Sequence, residues 1–596
     1  MMKLLLPLAA FILLSPQDKA KTKLAWNLPK GRVWEYKLLD KAGKPQKDGG
    51  FWIFSSELGG DGSNRLVIDR YADIPLYFLF SLPKDEKKPG EGWEASAFFF
   101  YESAEALSGW GFGFGGGGAV KPVCAKGVYR FLKLEKKADG DIAHLTGVFE
   151  LFEIRRDFVN NERKLTVTKN KLGTVATDAL FNVSTGVLQR GMWSISTRSQ
   201  ERIAEKNSPD TTIVDRKLDA AGGIEFSEEV ELKREKMEKA AGDQVKKAVE
   251  WLKKQQRPAG DFGFGPATES MRIECVLAGL VVRALLAAGI KPDDPILEKA
   301  MKTVRAAPGT STMSIAQALL AIVLRTPGED RDAISKAFAK DDLTALKALT
   351  AVLLGRRDSK LGAFPTTDEK DATFNPISTA HAAEALWAGG LVGNDAPGDV
   401  WKNIVETLST ASCDDDAASL ELKIEFADGF GFPIADGAKQ AKPVTYRYDL
   451  RAKPSNDPKQ NVRGWGLTLT AALEILKLAQ IELERKKQLT DIQKRSIDGM
   501  QRTGLAWIQA HYTWRASPPP EAAWTVRRIE FAAAVGRVLT MYGVKSIDGN
   551  DWWVEGAYHL LRVQAADGSW EEGTGSAIAE TANAILFLTR SWPSVK

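Results

Sequence analysis

The sequence has few of the residues that bind metals or form disulfide bonds. Its three cysteines, Cys124, Cys275 and Cys413, lie far apart and none belongs to a CxxC pair. Its four histidines show no metal-ligand spacing, either among themselves or with a cysteine, and they are His144, His381, His511 and His559. These spacings argue against a disulfide framework and against a structural zinc site. We therefore predict no metal and no other cofactor.

The chain also lacks a strong net charge and a long apolar segment beyond its start. Its 81 basic and 77 acidic residues leave a formal charge of +4. A balance this even provides no strong field to attract a polyanion, so no nucleic-acid partner is expected. The most apolar later stretch, VLAGLVVRALLAAGI, carries Arg283 in its middle. It falls short of the roughly 18 apolar residues that a spanning helix needs, and no integral membrane span is expected after the start.

The first 20 residues resemble a secretory signal peptide. They read MMKLLLPLAAFILLSPQDKA, with one lysine, an apolar run from Leu4 to Leu14 and then a polar stretch. This order of regions is typical of export signals, although Asp18 and Lys19 form a poor cleavage site. We predict a signal peptide over 1–20 and a periplasmic or extracellular protein, with an uncleaved N-terminal anchor as the alternative.

The sequence pattern of residues 22–234 is typical of an antiparallel β domain. Short runs such as RVWEYKLL, NRLVIDRY and HLTGVFELFEI alternate apolar and polar residues and are separated by Gly, Asp and Asn. A period of two with such turns predicts about eight or more strands. The pattern is compatible with a β-sandwich and with an open barrel, and periodicity does not distinguish them.

Near residue 235 the period changes to that of helices. Val245, Ala248, Val249 and Leu252 recur at helical spacing, with lysines and Glu250 on the opposite face. Further helical segments alternate between amphipathic and almost wholly apolar, and about twelve are expected from 238 to 596, separated by Gly and Pro breaks. Six hairpins of this kind can close into an (α/α)6 toroid. The irregular stretch at about 412–465 is expected to be an insertion into it.

A short motif recurs at helix ends in this second region. The stretch LLRVQAADGSW contains Gln564, Gly568 and Trp570, and WLKKQQRPAGDFGFG contains Gln256, Gly260 and Phe262. Glycine permits a sharp turn after a helix, and glutamine can bond the backbone groups that a helix end leaves unpaired. The aromatic ring is expected to cover the exposed end of a neighbouring helix.

This motif resembles the QW repeat of squalene and hopene cyclases. The C-terminal stretch that contains Trp570 is more closely similar to secreted bacterial proteins with prenyltransferase and squalene-oxidase repeats, within the superfamily of terpenoid cyclases and protein prenyltransferases. The resemblance is patchy back to residue 240 and does not include the β domain. It implies an α/α toroid. The cyclase acid motif DxDD is absent, as is the Asp-x-Cys of the prenyltransferase zinc site.

Four residues are weak catalytic candidates. IDGNDWW places Asp548 and Asp551 close together, but Asp551 directly precedes a helical run, which favours a helix cap. His381 lies on an apparent inner helix, where a hydrogen-bonded core histidine is the favoured interpretation. Glu530 in RRIEF could point toward the axis of the toroid, or could form a structural ion pair.

The insertion supplies most of the ligand-binding candidates. Long irregular segments often carry function, and aromatic rings beside a guanidinium suit an apolar ligand with a polar end, or a sugar. The candidate residues are Tyr446, Arg447, Tyr448 and Trp465, together with Arg528 of RRIEF. A hairpin that only covers the toroid is the structural alternative.

Three functions remain open from the sequence. Because the catalytic motifs are missing, the first is a noncatalytic toroid that binds a lipid-like molecule, a peptide or an envelope protein. The second is a diverged terpene cyclase-like or prenyltransferase-like enzyme. The third is a carbohydrate-active (α/α)6 enzyme, for which two carboxyl groups about 5 to 10 Å apart would be the distinguishing feature.

Overall fold

The computed structural model describes most of the chain from residue 21 onward. The described ranges are 21–58, 74–101, 121–159, 162–204, 211–262, 271–306, 311–326, 328, 331–370, 372–414, 418–431, 440–451, 466–515, 528–571 and 576–590. The predicted signal peptide lies outside them, as does Trp465, so export remains a prediction. The described residues up to 157 and from 164 to 231 form one compact unit, and those from 232 to 590 belong to another.

The first unit is built on an antiparallel sheet of eight strands, as the alternating pattern predicts. The strands are β1 (Arg32–Leu39), β2 (Pro45–Phe54), β3 (Gly92–Tyr101), β4 (Lys121–Glu135), β5 (Ile142–Val159), β6 (Glu162–Asn182), β7 (Val187–Ala204) and β8 (Thr211–Glu231). Their order is β2-β1-β8-β7-β6-β5-β4-β3, so the first hairpin pairs beside the last strand. All eight strands belong to one sheet, whereas a sandwich would divide them between two.

Aromatic side chains form much of the core of this unit. Helix α1 (Ile74–Leu79), which the sequence pattern does not predict, packs against β7. Phe78 at its end stacks on Phe149 of β5 with 3.8 Å between ring centroids. Trp34 and Tyr36 alternate with polar residues along β1 and are buried on one face. Stacked and edge-on aromatic pairs of this kind add to the free energy gained by apolar burial.

The second unit contains all twelve of the predicted helical segments, together with the short α6. The helices are α2 (Arg234–Gln255), α3 (Met271–Ala287), α4 (Pro295–Ala306), α5 (Thr312–Leu324), α6 (Arg331–Ala337), α7 (Lys340–Gly355), α8 (Pro376–Leu391), α9 (Gly398–Ala411), α10 (Gly466–Arg485), α11 (Asp491–Ala510), α12 (Arg528–Met541), α13 (Trp552–Val563) and α14 (Ala577–Thr589).

The more apolar helices pack against one another in a cyclic sequence. Helix α3 packs against α5, α5 against α8, α8 against α10, α10 against α12, α12 against α14, and α14 against α3. Three of the other helices each contact a pair of these: α4 contacts α3 and α5, α7 contacts α5 and α8, and α13 contacts α12 and α14. The six apolar helices are named the inner helices here, and α2, α4, α7, α9, α11 and α13 are named the outer helices. This arrangement explains the alternation in the sequence, because an enclosed helix is apolar on all sides and an outer helix on one face.

The two full copies of the glutamine motif make the same bonds. Gln256 Nε2 donates to the carbonyl oxygens of Gly260 at 3.2 Å and Ile296 at 2.8 Å. Gln564 Nε2 donates to Gly568 O at 2.9 Å and Gln244 O at 3.3 Å. The first glutamine thus links the end of α2 to α4, and the second links the end of α13 back to α2.

Both glycines of the motif are required by backbone geometry. Their φ angles are +97° for Gly260 and +95° for Gly568, where a side chain is strained. A Cβ on Gly260 would lie 2.3 Å from the carbonyl oxygen of Lys299, and one on Gly568 would lie 2.9 Å from that of Lys247. The turn therefore lies directly on the next outer helix.

The aromatic residue of the motif differs from its expected role. Trp570 is buried, and its Nε1 donates to Leu560 O at 2.8 Å. Leu560 is among the last four residues of α13, whose carbonyls have no partner within the helix. The indole therefore satisfies the end of its own preceding helix, whereas the sequence suggested a neighbouring one. Phe262 occupies the corresponding position in the first copy and is also buried.

The stretch LGAFP is a third, degraded copy. Phe364 is buried and its backbone N–H donates to Thr379 Oγ1 of α8 at 3.1 Å. The backbone N–H of Trp570 donates in the same way to Thr581 Oγ1 of α14, at 3.0 Å. The motif therefore fixes the chain at two points, the end of an outer helix and the first turns of the following inner one.

The insertion between α9 and α10 consists of short paired strands. They are β9 (Ser412–Asp414), β10 (Leu420–Glu421), β11 (Ile424–Phe426), β12 (Gln440–Ala441) and β13 (Val444–Tyr446), and β14 (Val544–Ile547) follows α12. β9 pairs with β13, β10 with β12, and β11 with β14. Gln509 of α11 accepts from Lys423 N and donates to Glu421 O, both at 2.8 Å, so the insertion is fixed to the helices.

Within the described ranges, no helix is long and apolar enough to cross a membrane.

Candidate functional site

Four charged side chains from four inner helices meet where these helices converge. Arg283 of α3 donates to Glu384 Oε1 of α8 at 2.6 Å. Arg537 of α12 donates from Nη1 to Glu384 Oε2 and to Glu474 Oε1 of α10, each at 3.0 Å. These four residues are named the central network here. Their side chains are 2% to 11% exposed, so they are largely removed from water.

Two polar side chains extend the central network to a fifth inner helix. Gln317 of α5 accepts from Arg283 Nη1 at 2.8 Å through its Oε1. Its Nε2 lies 3.5 Å from Nδ1 of His381, which precedes Glu384 by almost one turn of α8. His381 is partly buried. The sequence favoured a hydrogen-bonded histidine at this position, and the contact with Gln317 agrees with that interpretation.

Apolar neighbours make the network dependent on its own ion pairs. Glu384 follows Ala382 and Ala383, and Glu474 lies between Leu473 and Ile475, all of them buried. An isolated charge in such surroundings is strongly unfavourable, so buried charges persist in folded proteins only with partners. The four residues supply two positive and two negative groups, which compensate one another when both glutamates are ionised.

The two glutamates have pKa values shifted in opposite directions. Burial raises the pKa of the Glu384 carboxyl, but Arg283 and Arg537 together outweigh burial, and the net pKa is lowered. Burial raises the pKa of Glu474 to about 7, because Arg537 offsets it only in part and Glu384 adds repulsion. Glu384 therefore favours the ionised form, while Glu474 keeps its proton to a higher pH than an ordinary glutamate does.

The same surroundings keep His381 neutral. Burial and, next, the charge of Arg537 lower its pKa to about 3, against the opposing attraction of Glu384. Burial lowers the pKa of Arg283. For Arg537, burial opposes the charge, but Glu474 and Glu384 outweigh it and raise the pKa.

We expect Glu474 and His381 to give the helical unit opposite pH dependences of stability. The folded pKa of Glu474, about 7, lies above its ordinary value of 4.5, so its contribution to stability is full below pH 4.5 and is lost as the pH rises to 7. The folded pKa of His381, about 3, lies below its ordinary 6.5, so its contribution is full above pH 6.5 and is lost as the pH falls. From pH 4.5 to 6.5 the two effects oppose each other in the parent protein.

Single substitutions should separate these two effects. Between pH 4.5 and 6.5, Glu474→Gln leaves the histidine effect, and its free energy of unfolding should fall relative to the parent by about 1.4 kcal/mol for each pH unit of acidification. His381→Gln leaves the glutamate effect, and its stability should fall by a similar amount as the pH rises. Urea unfolding followed at 222 nm over this range measures both slopes. If the free energy of unfolding changes with pH in the same way in both variants and in the parent, the assigned pKa shifts are contradicted.

The carboxylates predicted near residue 550 lie in other surroundings. Asp551 is the N-cap of α13: its Oδ1 accepts from Trp553 N and Val554 N at 3.2 Å, and its Oδ2 pairs with Arg234 at 2.7 Å. The cap that the sequence favoured is therefore present. Asp548 has a left-handed backbone with φ of 48° and lies 3.6 Å from Lys423 Nζ. Neither aspartate takes part in the hydrogen bonds of the central network given above.

Glu530 is the predicted acidic candidate that acts on the central network. It lies in the first turn of α12, two turns before Arg537, and its charge contributes to the raised pKa of Arg537. The side chain of its predicted neighbour Arg528 lies outside the described part of the chain. The sequence thus identified the correct helix but not the residue on it that joins the network.

The predicted ligand-binding residues of the insertion are mostly buried. Tyr446 is 0% exposed and Arg447 is 3% exposed, and Arg447 Nη2 donates to Thr410 O at 2.8 Å. Burial raises the pKa of the Tyr446 hydroxyl. Tyr448 is partly buried. The bond of Arg447 therefore links the chain just after β13 to α9. The ligand-binding role stays a prediction, beside its alternative of a hairpin that only covers the toroid.

Gln317, Glu384, Glu474 and Arg537 are not among the residues predicted from the sequence. Their signal is a polar or charged residue within an apolar stretch of a helix, as in AHAAEALW, TAALEIL and AAAVGRVL. Arg283 showed the same signal but was used only to exclude a membrane span. Residues of this kind on several enclosed helices must meet, because each needs a partner of opposite charge.

The described residues contain two buried free thiols, Cys124 and Cys413. Within the same ranges, no group of three or more His, Cys, Asp or Glu side chains is placed to hold a metal ion.

Three solved structures show limited similarity to this chain. The type II terpene cyclase MstE from Scytonema has a TM-score of 0.36 and 12% identity, covering 60% of this chain and 99% of the cyclase. An unsaturated glucuronyl hydrolase specific for heparin has a TM-score of 0.34 and 14% identity, covering 60% of this chain and 95% of the hydrolase. The unsaturated glucuronyl hydrolase of Streptococcus agalactiae has a TM-score of 0.32 and 11% identity, with 60% and 94% covered. No protein-family model and no curated protein sequence matches this chain.

Proposed function

We propose that the helices of the second unit close into an (α/α)6 toroid with the central network at its axis. The cyclic contacts from α3 through α5, α8, α10, α12 and α14 back to α3 support closure. The bond from Gln564 at the end of α13 to Gln244 in α2 supports it independently, since it joins the last outer helix to the first. An axis formed by six enclosed helices is the position where side chains from all of them can converge.

We further propose that the protein is an enzyme that uses the central network for acid–base catalysis. One observation carries this proposal: two buried carboxyl groups, those of Glu384 and Glu474, are bonded to one guanidinium nitrogen of Arg537. Their pKa values are shifted in opposite directions, so one carboxyl favours the protonated form and the other the ionised form, as in sites that use two carboxyl groups in different roles. Glu474 is the proton donor, and Glu384 is the ionised carboxylate.

The spacing of the two carboxyl groups fits hydrolysis of a glycosidic bond. Glu384 Oε2 and Glu474 Oε1 each lie 3.0 Å from Arg537 Nη1, so these oxygens are at most about 6 Å apart. Retaining glycosidases have carboxyl pairs about 5 to 5.5 Å apart, which this limit allows, whereas the roughly 6.5 to 9.5 Å of inverting enzymes lies beyond it. In the proposed reaction Glu474 protonates the leaving oxygen as the C–O bond breaks, and a carboxylate oxygen of Glu384 bonds to the sugar carbon. Water then gives a proton to Glu474 while its oxygen bonds to the sugar carbon, and the bond to Glu384 breaks.

The composition of the network favours a polar substrate over a hydrocarbon. Two guanidinium groups, two carboxyl groups, an amide and an imidazole would have to be stripped of partners or left facing an apolar ligand, and either is unfavourable. Terpenoid cyclisation, and noncatalytic binding of a lipid at the axis, are therefore less well supported than carbohydrate chemistry. Binding of a peptide or an envelope protein elsewhere on the surface is not in conflict with this site.

The proposal can be tested by turnover of a panel of neutral and acidic glycosides and oligosaccharides. The parent should hydrolyse at least one class, with a rate that declines above pH 7 as Glu474 loses its proton. Glu474→Gln and Glu384→Gln should each lower the rate by about a hundredfold or more, the usual contribution of general acid–base catalysis. Glu482→Gln is the matched control, since Glu482 is another buried glutamate of α10 but pairs with Arg485 outside the central network.

Two results would count against the proposal. Hydrolysis that survives both substitutions would place the chemistry elsewhere. Absence of turnover across the panel, together with a lipid that co-purifies and is identified by mass spectrometry, would favour the noncatalytic toroid.

A further inference from the structure

The backbones of α3 and α5 come close together one helical turn before Arg283. Gly279 of α3 is buried there and lies directly against Gln317 of α5. A Cβ on Gly279 would lie 2.7 Å from the carbonyl oxygen of Gln317 and 2.8 Å from its carbonyl carbon, which is closer than real Cβ atoms come to a backbone. The distance between packed helices is set by the side chains at their contact, so a side chain at this position would force α3 and α5 apart.

Gln317 meets two successive turns of α3. Its backbone lies against Gly279, and its side-chain Oε1 accepts from Arg283 Nη1 at 2.8 Å. Residues four positions apart on a helix lie on the same face, which explains why one residue of α5 meets both. On its other side, the Gln317 amide lies 3.5 Å from Nδ1 of His381 on α8. The amide is therefore held between two helices, and the position of Arg283 depends on it.

Glu384 is held through both of its carboxyl oxygens. Arg283 Nη2 donates to Oε1 at 2.6 Å, and Arg537 Nη1 donates to Oε2 at 3.0 Å. Donors on both oxygens fix the plane of the carboxylate as well as its direction. Because hydrogen bonds depend steeply on distance and angle, a shift of α3 away from α5 would weaken the bond to Oε1 and let this plane turn.

We propose that Gly279 and Gln317 are positioning residues of the site: the close approach of α3 to α5 at Gly279, together with the amide of Gln317, holds Arg283 where it orients the carboxylate of Glu384. The inference rests on the proposed function, because it explains how the carboxylate that bonds to the sugar carbon is aimed. Both residues act through Arg283. A misplacement of about 1 Å in a reacting group can lower a rate roughly a hundredfold, so a contact between two helix backbones can affect catalysis strongly.

Double-mutant cycles test the positioning without a substrate. If Gly279 holds Arg283 against Glu384, Gly279→Ala already weakens the bond that Glu384→Gln removes. Glu384→Gln should therefore increase the unfolding equilibrium constant less in the Gly279→Ala background than in the parent, by about fivefold or more, as expected for coupled residues. Urea unfolding of the full chain, followed at 222 nm, measures the four proteins of the cycle.

A second cycle uses the side chain in place of the backbone contact. Gln317→Met keeps a side chain of similar length but removes the acceptor for Arg283. Its effect should be coupled to that of Glu384→Gln with the same sign. This cycle decides the inference if Gly279→Ala does not fold.

Gly556→Ala provides the matched control for strain in an enclosed helix. Gly556 of α13 is buried, and a Cβ there would lie 2.4 Å from the ring of Phe587 on α14. This variant should lose stability, but its effect and that of Glu384→Gln should add. Additive effects in the cycles of Gly279→Ala and Gln317→Met as well would overturn the inference, because Gly279 would then serve packing alone.

Turnover separates the inference from the proposed hydrolysis. With a glycoside that the parent hydrolyses, Gly279→Ala and Gln317→Met should each lower kcat about tenfold or more at low temperature and leave KM within about twofold. Gly556→Ala should keep the kcat of the parent. An unchanged kcat in Gly279→Ala and Gln317→Met would overturn the inference, even if Glu384→Gln is inactive. Coupled cycles without hydrolysis of any glycoside would support the positioning of Glu384 and contradict the hydrolase.

Discussion

Arg537→Met should lower the free energy of unfolding of the helical unit by about 3 to 5 kcal/mol at pH 8, the usual result of removing one partner from a buried ion pair. Arg537 bonds two glutamates that are each less than 6% exposed. Its removal breaks the bond to Glu474 and one of the two guanidinium bonds that Glu384 makes in the central network. Methionine fills a similar volume, so the loss reports mainly the orphaned charges. Chemical unfolding followed by circular dichroism at 222 nm measures the change.

Two further variants and a change of pH serve as controls for this prediction. Arg331→Met removes a half-exposed pair with Asp395 and should cost about 1 kcal/mol or less. Adding Glu474→Gln to Arg537→Met should recover part of the loss, because it removes one of the unpaired charges. The loss should also be smaller at pH 5.5, where Glu474 can take up a proton in the folded state. A loss independent of pH and unrelieved by Glu474→Gln would mean that packing, not charge, explains the effect.

The sequence predicted the helices of this protein better than it predicted the central network that four of them form. Helical period is a local signal, and caps such as Ser311, Asn375 and Ser576, each accepting from a backbone N–H in the first turn, mark where inner helices begin. The central network depends on which helices become neighbours. Arg537 and Glu384 are 153 positions apart, and no local pattern relates them.

The sequence left two interpretations of the insertion open, a ligand-binding mouth and a hairpin that only covers the toroid, for a related reason. Tyr446 and Arg447 look like surface binding residues, because aromatic and charged residues in irregular segments often are. Their burial follows from the pairing of β13 with β9 and from the bond of Arg447 to Thr410 O, which a sequence pattern does not show. The sequence also did not determine that the strands of the first unit form a single sheet. Alternation shows on which face of a strand each residue lies, but not the order of the strands.

Trp570→Ala should lower the free energy of unfolding of the helical unit by about 3 to 5 kcal/mol, because it truncates a large and fully buried aromatic side chain. The same substitution also removes the indole donor and leaves Leu560 O, at the end of α13, without that bond. The expected loss is structural, since Trp570 is bonded to the backbone of α13 and to Thr581 of α14 and to neither glutamate of the central network.

Trp570→Phe removes the indole hydrogen bond but keeps an aromatic ring. The first copy of the motif already has phenylalanine at this position, since Phe262 corresponds to Trp570 and is fully buried. This variant should lose only about 1 kcal/mol, the usual net contribution of one hydrogen bond. Thermal unfolding of the two variants should therefore place Trp570→Phe close to the parent and Trp570→Ala well below it, while both keep the hydrolytic activity of the parent at low temperature. If Trp570→Ala unfolds with the parent but has lost that activity, the tryptophan belongs to the proposed site and the repeat is not a structural device.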